Sequence, residues 1–289
     1  MNKIITSQEI NSLRFYQGDI SHYIINNIEE YNKYNSQFYQ TKGAYHILNM
    51  LLYPGIENEK VRICHENKKV PLYLLNNIEE LLVVYKNIFN LMCKYSCSNK
   101  KHGIIHAFRK DRVQSMEMFN NDYLYAITSC SLKDESEDYF LKKNGILLLE
   151  FDIPTSVPFV ILNDVLGVNL FQYQEELLLP PFLSFSKFKL DFTQKEWEYR
   201  DINNAHPKAK YLLKITNYMS KLKRYDKLNK EYDLCNMSKD TKYIISVLER
   251  LVEGYDIQKK EIIEYCSYKA EIQKFVQEMF LNIYKSFFQ

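Results

Sequence analysis

Apolar positions in the first hundred residues recur every three or four places, the period of a helix with one buried face. Residues 20–31 show this period through three isoleucines and a tyrosine. Residues 38–52 repeat it and end before a Pro-Gly pair, and residues 72–93 carry it over the longest stretch. The sequence therefore predicts an N-terminal helical lobe over residues 1–100.

The pattern changes at Gly103, where short apolar runs separated by polar segments begin, a signal typical of strands. Six such runs follow, at residues 104–108, 123–128, 146–151, 158–162, 176–179 and 185–192. A short helical turn over residues 134–140 is the one predicted interruption. Closely spaced strands with short connections favour mixed or antiparallel sheets over a doubly wound α/β fold. We therefore predict a β core over residues 101–198.

Helical periodicity returns after Pro207 and no further strand is predicted. Thr241 has the position of an N-cap before one apolar-periodic helix, and residues 257–288 form another. The prediction is an α+β protein, with one domain over residues 1–198 and a helical extension over residues 199–289.

Composition limits the classes of function. Hydrophobic residues make up 46% of the 289 residues, enough for a sizeable core, and the net charge of +2 gives no global signal for nucleic acid or membrane. The N-terminus lacks the pattern of a secretory signal, and charges and prolines interrupt the longest apolar region, residues 145–171. We expect a soluble chain that acts in a cytoplasm, or one delivered into a target cell without a Sec-type signal peptide.

Six scattered cysteines in a chain of this size indicate free thiols in a reducing compartment. Cys93, Cys97, His102 and His106 offer a conceivable zinc site. Their spacing fits no usual zinc finger, and His106 falls in a predicted strand. We therefore favour free thiols and expect no metal.

Residues 174–181 read Gln-Glu-Glu-Leu-Leu-Leu-Pro-Pro, which places an acid at the head of a hydrophobic strand. Because residues two apart share a face of a strand, Gln174 and Glu176 are expected on one side and Glu175 on the other. A rigid acid beside an amide can stabilise a sugar cation while the amide positions an acceptor.

The predicted strands carry, in chain order, Arg109, then Ser129-Cys130-Ser131, then the Gln-x-Glu that ends at Glu176. This order resembles the toxin-type mono-ADP-ribosyltransferases of the Arg–Ser–Glu class over roughly residues 10–195. The Gln-x-Glu subtype is similar to the Rho-modifying bacterial exoenzymes. Two positions depart from the family pattern. Lys110 replaces the Gly that follows the arginine, and Cys130 replaces the middle Thr of Ser-Thr-Ser.

The resemblance implies an ADP-ribosyltransferase-like fold, with the helical lobe followed by two packed mixed or antiparallel sheets. It also implies that the chain transfers ADP-ribose from NAD, which is consumed as a substrate. Glu176 would stabilise the cationic ribose, Arg109 would hold the NAD, and Ser129 would brace Glu176 or the ribose. Ser131 is the competitor of Ser129 and a second NAD contact, and Arg112 is the nearest rival of Arg109.

On the acceptor side, the resemblance assigns Gln174 to orient the acceptor, with Phe171 and Tyr173 stacking against it. Gln at this position accompanies asparagine acceptors in the Rho-modifying exoenzymes and guanine bases in pierisin-type toxins, whereas Glu accompanies arginine acceptors. The expected acceptor is therefore a protein Asn/Gln-type side chain or a guanine base.

Other interpretations stay open. One is an NAD glycohydrolase on the same scaffold, and another is a catalytically degenerate binding module. A third is a basic nucleic-acid-binding protein, since residues 200–232 contain nine Lys/Arg against three Asp/Glu. An inhibitor or antitoxin is a possible partner of the helical C-terminal region.

Overall fold

The computed structural model describes residues 4–17, 45–53, 78–99, 103–111, 123–134, 146–167, 175–201, 203–218 and 254–288, together with 243, 246–247 and 250–251. They form two compact units. One comprises Met92–Lys221, and the other comprises Ile4–Leu91 and Leu222–Gln289. The predicted helices at residues 20–31 and 134–140 and the N-cap at Thr241 lie outside the described residues.

The helical unit is built from α1 (Ser7–Gln17), α2 (Tyr45–Leu52), the first part of α3 (Ile78–Ser98) and α6 (Lys259–Phe288). A capping box starts α1: Thr6 Oγ1 accepts the amide of Glu9, whose carboxylate accepts the amide of Thr6. Phe89 stacks on Phe280 with ring centroids 4.1 Å apart. The C-terminal helix therefore packs with N-terminal helices in one unit, whereas the sequence analysis treated it as part of a separate extension.

After the end of α3, the described residues of the sheet unit form eight strands and two short helices. Their bounds are β1 (Ile104–Asp111), β2 (Tyr123–Leu124), β3 (Thr128–Ser131), β4 (Leu147–Pro154), β5 (Val160–Ile161), α4 (Leu162–Leu166), β6 (Glu176–Leu179), β7 (Leu183–Lys189), α5 (Gln194–Glu198) and β8 (Ala209–Tyr218). The strand order is β2-β7-β8-β4-β1-β3-β6-β5. All described pairings are antiparallel except β4 with β8, so the sheet is mixed. The predicted α+β class is confirmed.

The strands form one hydrogen-bonded sheet where two packed sheets were expected. The reason lies at the β1–β3 junction, where a single register pair, Phe108 with Ser131, links a five-stranded part to a three-stranded part. By contrast, β1 pairs with β4 along its whole length, from Ile104 to Asp111. The two expected sheets are thus joined at one point, beside the candidate site.

Strand β8 corrects the prediction that only helices follow residue 207. It lies between β4 and β7 in the sheet, so the β core continues past the predicted boundary at residue 198. Lys210 is buried in this strand because its ammonium pairs with Glu150 at 2.6 Å and with Glu196 at 2.9 Å. A buried lysine and a Leu-Leu pair conceal the alternation by which a strand is recognised in a sequence.

Alternation in β4 defines the core of the sheet unit. Leu147, Leu149, Phe151 and Ile153 are at most 2% exposed, while Glu150 and Asp152 between them are partly exposed. This alternation is the pattern expected of a strand with one buried face.

Among the helices that the structure describes, none is long and apolar enough to cross a bilayer.

Candidate active site

Strands β3 and β6 bring a serine to a glutamate. In their antiparallel register Ser131 lies opposite Glu176, and Ser129 lies opposite Leu178. Because cross-strand partners and residues two apart share a face, Ser129 and Glu176 are diagonal neighbours on the same side. Ser129 Oγ donates to Glu176 Oε1 at 2.5 Å, within the range of a charge-assisted hydrogen bond. Leu177, Leu178 and Leu179 are 0% exposed, so the strand that carries the acid is firmly packed.

Arg109 reaches the same place from β1. Its Nη1 donates to the backbone carbonyl of Ser129 at 2.9 Å. Its Nε and Nη2 both donate to Asp111 Oδ2, at 2.9 and 2.8 Å. The side chains of Arg109 and Asp111 are 28% and 14% exposed, so the guanidinium is held firmly but remains accessible. Residues of three strands thus meet here: the guanidinium of Arg109 contacts the backbone of Ser129, and the hydroxyl of Ser129 binds the carboxylate of Glu176.

The electrostatics at Cys130 report the same arrangement. Burial raises the pKa of this thiol to about 12, with the Arg109 charge opposing the shift and the Glu176 charge adding to it. Both charges therefore act on one buried group. At neutral pH the thiol is protonated, so Cys130 fills space on the buried side of β3 and is not a nucleophile.

Ser131, the rival of Ser129, has a different environment. It is 7% exposed, and its Oγ accepts the backbone N–H of Lys133 at 3.1 Å. Such a bond stabilises the turn that ends β3. Ser129 is therefore the serine that binds the carboxylate, while Ser131 lies opposite Glu176 and supports the turn.

The backbone at Glu175 departs from the expected strand. Strand β6 begins at Glu176, and Glu175 has φ 43°, in the left-handed region that non-glycine residues enter at a cost of about 1–3 kcal/mol. The period-two argument that placed Gln174 and Glu176 on one face therefore does not apply across this residue. Gln174, Phe171 and Tyr173 lie outside the described residues, as does Arg112.

Lys110 is directed away from Arg109. Successive residues of a strand point to opposite faces, and Lys110 Nζ lies 4.6 Å from the centroid of the Tyr199 ring. The amine stacks there as a cation on a buried aromatic face. Lys110 therefore does not share the face on which Arg109 contacts Asp111.

Asp111 is the site residue that the sequence analysis missed. The predicted apolar run covered residues 104–108, whereas β1 extends to Asp111. Within a strand, the spacing of two residues puts Arg109 and Asp111 on one face, so a longer strand would have predicted their contact.

Three of the four conceivable zinc ligands lie in the described part of the chain, in separate surroundings. Cys93 and Cys97 are buried in α3, where burial raises the pKa of Cys93. His106 Nδ1 lies 2.8 Å from Asp152 Oδ1 on the neighbouring strand. His102 lies outside the described residues, and in the described parts of the chain no three His, Cys, Asp or Glu residues are grouped to hold a metal.

No protein-family model matches the chain, and no curated protein matches it. Several solved structures are similar to it. The Clostridium limosum C3 exoenzyme has 12% identity and a TM-score of 0.39, with 74% of this chain and 88% of that chain covered. C3stau2 from S. aureus, solved with NAD, has 12% identity and a TM-score of 0.35, covering 67% and 97%. Plx2a, an ADP-ribosyltransferase toxin from Paenibacillus larvae, has 12% identity and a TM-score of 0.34, covering 65% and 92%. At such identities we argue function from this chain's own side chains.

Proposed function

We propose that this chain is a mono-ADP-ribosyltransferase that moves ADP-ribose from NAD to a macromolecular acceptor. The observation that carries the proposal is the hydrogen bond from Ser129 Oγ to Glu176 Oε1, with Arg109 held on the carbonyl of the same serine. A rigid carboxylate, a hydroxyl that fixes it and a guanidinium within the same cluster are the groups that cleavage of a dinucleotide at its ribose requires.

The reaction breaks the bond between C1′ of the ribose and the nicotinamide nitrogen. The electron pair of that bond leaves with nicotinamide, which becomes neutral, and positive charge develops on the ribose as in other oxocarbenium-like transition states. The acceptor then forms the new bond to C1′ and loses its proton. Each residue of the site can be assigned to one part of this sequence.

Glu176 would stabilise the developing cation and accept a hydrogen bond from a ribose hydroxyl. Because Ser129 binds Oε1 and the leucines behind the strand are fully buried, the carboxylate is fixed before the substrate arrives. A preorganised charge of this kind contributes about 10²–10³ in rate by analogy with oxyanion-type groups.

Arg109 would bind the diphosphate or ribose of NAD. A guanidinium forms parallel charge-assisted bonds to phosphate that a lysine cannot reproduce. Asp111 and the Ser129 carbonyl fix the orientation of the guanidinium from two directions. The direction of Lys110 toward Tyr199 supports the same role, because its side chain does not share the face of Arg109.

The acceptor side of the proposal rests on Gln174, with Phe171 and Tyr173 as residues that would stack against the acceptor. The Gln-x-Glu pattern supports an asparagine-type side chain or a guanine base over arginine. C3stau2 was solved with NAD and Plx2a is a toxin, and we extend both features to this chain as part of the proposal. It would act in a cytoplasm as a toxin or effector, and an inhibitor protein is a proposed partner.

The test measures nicotinamide release and transfer of labelled ADP-ribose to protein and nucleic-acid extracts, with wild type and Glu176→Ala. We expect the variant to lose about 10²–10³ in rate while its thermal unfolding stays close to that of wild type. Glu198→Gln, which changes an exposed acid on α5, serves as the matched control. Equal activity of Glu176→Ala and wild type would refute the assignment. Cleavage of NAD without any labelled macromolecule would instead identify a glycohydrolase.

A further inference from the structure

The residue directly before Glu176 is held in an unusual conformation by the end of β3. The φ of 43° at Glu175 is in the left-handed region, which a glutamate occupies only when its surroundings hold it there. Two contacts do so. Its carbonyl accepts the backbone N–H of Leu132 at 3.2 Å, and its carboxylate Oε1 lies 2.7 Å from Lys133 Nζ.

These contacts join the two strands on which the candidate site is built. Leu132 and Lys133 directly follow β3, which carries Ser129, and Glu175 directly precedes β6, which begins with Glu176. The backbone N–H of Lys133 in turn donates to Ser131 Oγ. The Lys133–Glu175 pair therefore secures the chain at the point where it enters the strand of the proposed catalytic acid.

The conformation of Glu175 determines how the residues on either side of it are related. In an extended chain, residues two apart share a face, but a left-handed residue between them rotates the chain and removes that relation. The backbone angles of Glu175 therefore determine the direction from which the chain enters β6. Residue 174 is the glutamine to which we assign the acceptor, whereas Glu176 acts on NAD.

The ion pair is strong enough to bias this conformation but too weak to lock it. Its side chains are 52% and 42% exposed, and a pair exposed to that degree shifts an equilibrium by about 1.4- to 5-fold. Breaking it releases part of the restraint on a conformation that a glutamate otherwise avoids. The effect falls on the segment before Glu176, because β6 itself remains packed by its three buried leucines.

We propose that Lys133 and Glu175 are positioning residues that direct the ADP-ribosyl group to the macromolecular acceptor in preference to water. This inference rests on the proposed function. It adds that the pair acts on the second half of the reaction, the attack at C1′, and leaves the cleavage of NAD almost unchanged. The pair thereby sets the ratio of transfer to hydrolysis.

The experiment uses the full chain with biotin-labelled NAD and a fixed cell extract, and measures labelled macromolecule and total nicotinamide release together. In Lys133→Met and in Glu175→Gln, the ratio of transfer to release is expected to fall about two- to five-fold, with nicotinamide release within about two-fold of wild type. The double variant Lys133→Glu with Glu175→Lys restores the pair with its charges exchanged, and the ratio is expected to recover. Lys260→Met, which removes an exposed lysine paired with Glu264, is the matched control.

Two further readouts separate positioning from a general loss of structure. The Leu132 amide is expected to exchange hydrogen faster in Lys133→Met than in wild type, because its acceptor is the Glu175 carbonyl. Raising salt from about 0.05 to about 0.5 M is expected to lower the ratio in wild type and to leave it unchanged in Lys133→Met, since the pair is exposed and screened.

The outcomes distinguish failure of this inference from failure of the proposed function. If wild type releases no nicotinamide from NAD, the proposed function is wrong and the inference falls with it. If wild type is active but both single variants keep the wild-type ratio of transfer to release, the positioning role alone is refuted. The same holds if both variants lose nicotinamide release and transfer equally. Failure of the charge-exchanged double variant to recover, with amide exchange at Leu132 unaltered in Lys133→Met, refutes it as well.

Discussion

Replacing Ser129 with alanine tests how the candidate site is preorganised. The change removes one hydroxyl, and with it the 2.5 Å hydrogen bond to Glu176 Oε1. The backbone carbonyl that accepts from Arg109 Nη1 is retained in the variant. The substitution therefore separates the bracing of the carboxylate from the placement of the guanidinium.

The size of the effect follows from the kind of bond that is lost. Hydrogen bonds to charged groups contribute about 1.5–3 kcal/mol. At about 1.36 kcal/mol for each factor of ten, the full range corresponds to about 10- to 150-fold in rate. Because Ser129 and Glu176 are only partly buried, water can replace part of the bond, so we expect the lower end, about 10- to 30-fold.

The assay is the steady-state rate of nicotinamide release at saturating and limiting NAD, with Ser131→Ala as the comparison. Ser131 Oγ accepts a backbone amide, and we expect its removal to lower stability by about 0.5–1.5 kcal/mol and the rate by less than about three-fold. The reasoning is refuted if Ser131→Ala loses more activity than Ser129→Ala. It also fails if Ser129→Ala keeps more than half of the wild-type rate.

Three further predictions concern the guanidinium and the buried ion pairs. Arg109→Lys is expected to raise the KM for NAD about 10- to 100-fold through loss of the planar fork, and an unchanged KM in initial-rate kinetics would contradict this. Lys210→Met leaves the carboxylates of Glu150 and Glu196 without their shared cation. It is expected to lower the free energy of unfolding, measured in urea, by about 3 kcal/mol. A decrease below about 1 kcal/mol would contradict this prediction. Burial raises the pKa of Glu196, but hydrogen bonds from Lys210 and Thr193 outweigh burial and hold it below 4.5. The stability that the ionised Glu196 contributes is therefore present above pH 4.5 and is lost as pH falls through the lower folded pKa. Glu196→Gln is expected to be less stable than wild type at neutral pH and to lose less stability on acidification. Urea midpoints of both proteins at pH 7 and pH 3 measure this difference.

The sequence predicted the elements of the site well where neighbouring residues alone determine the local structure. The run Leu177–Leu179 lies between an acid and Pro180, and the predicted bounds of β6 are confirmed to the residue. The apolar run begins after the acid, and a proline lacks the N–H that would continue the strand. The order of Arg109, Ser129 and Glu176 along separate strands survives in the structure as direct contacts.

Other features depend on contacts that are distant in the sequence. Strand β8 was missed because Lys210 is tolerated in the sheet only through Glu150 and Glu196, 60 and 14 positions away. The run at residues 123–128 was predicted as one strand, but it contains the whole of β2 and the first residue of β3, which pair with different partners. Neither partner can be identified from the run itself.

The left-handed backbone at Glu175 is the hardest feature to predict and the one with the largest consequence for the site. Left-handed residues are expected at glycine or asparagine, and no propensity places one at a glutamate followed by a hydrophobic strand. The conformation exists because Lys133 and the amide of Leu132 hold it from the far end of β3. These contacts are the reason why the alternation argument does not apply to Gln174 and Glu176. They also link the start of β6 to β3, the strand of Ser129. A site assembled from separate strands needs such contacts where the strands are joined by the fewest hydrogen bonds. In this sheet the weakest junction is the single β1–β3 register pair, which lies beside Arg109 and Glu176.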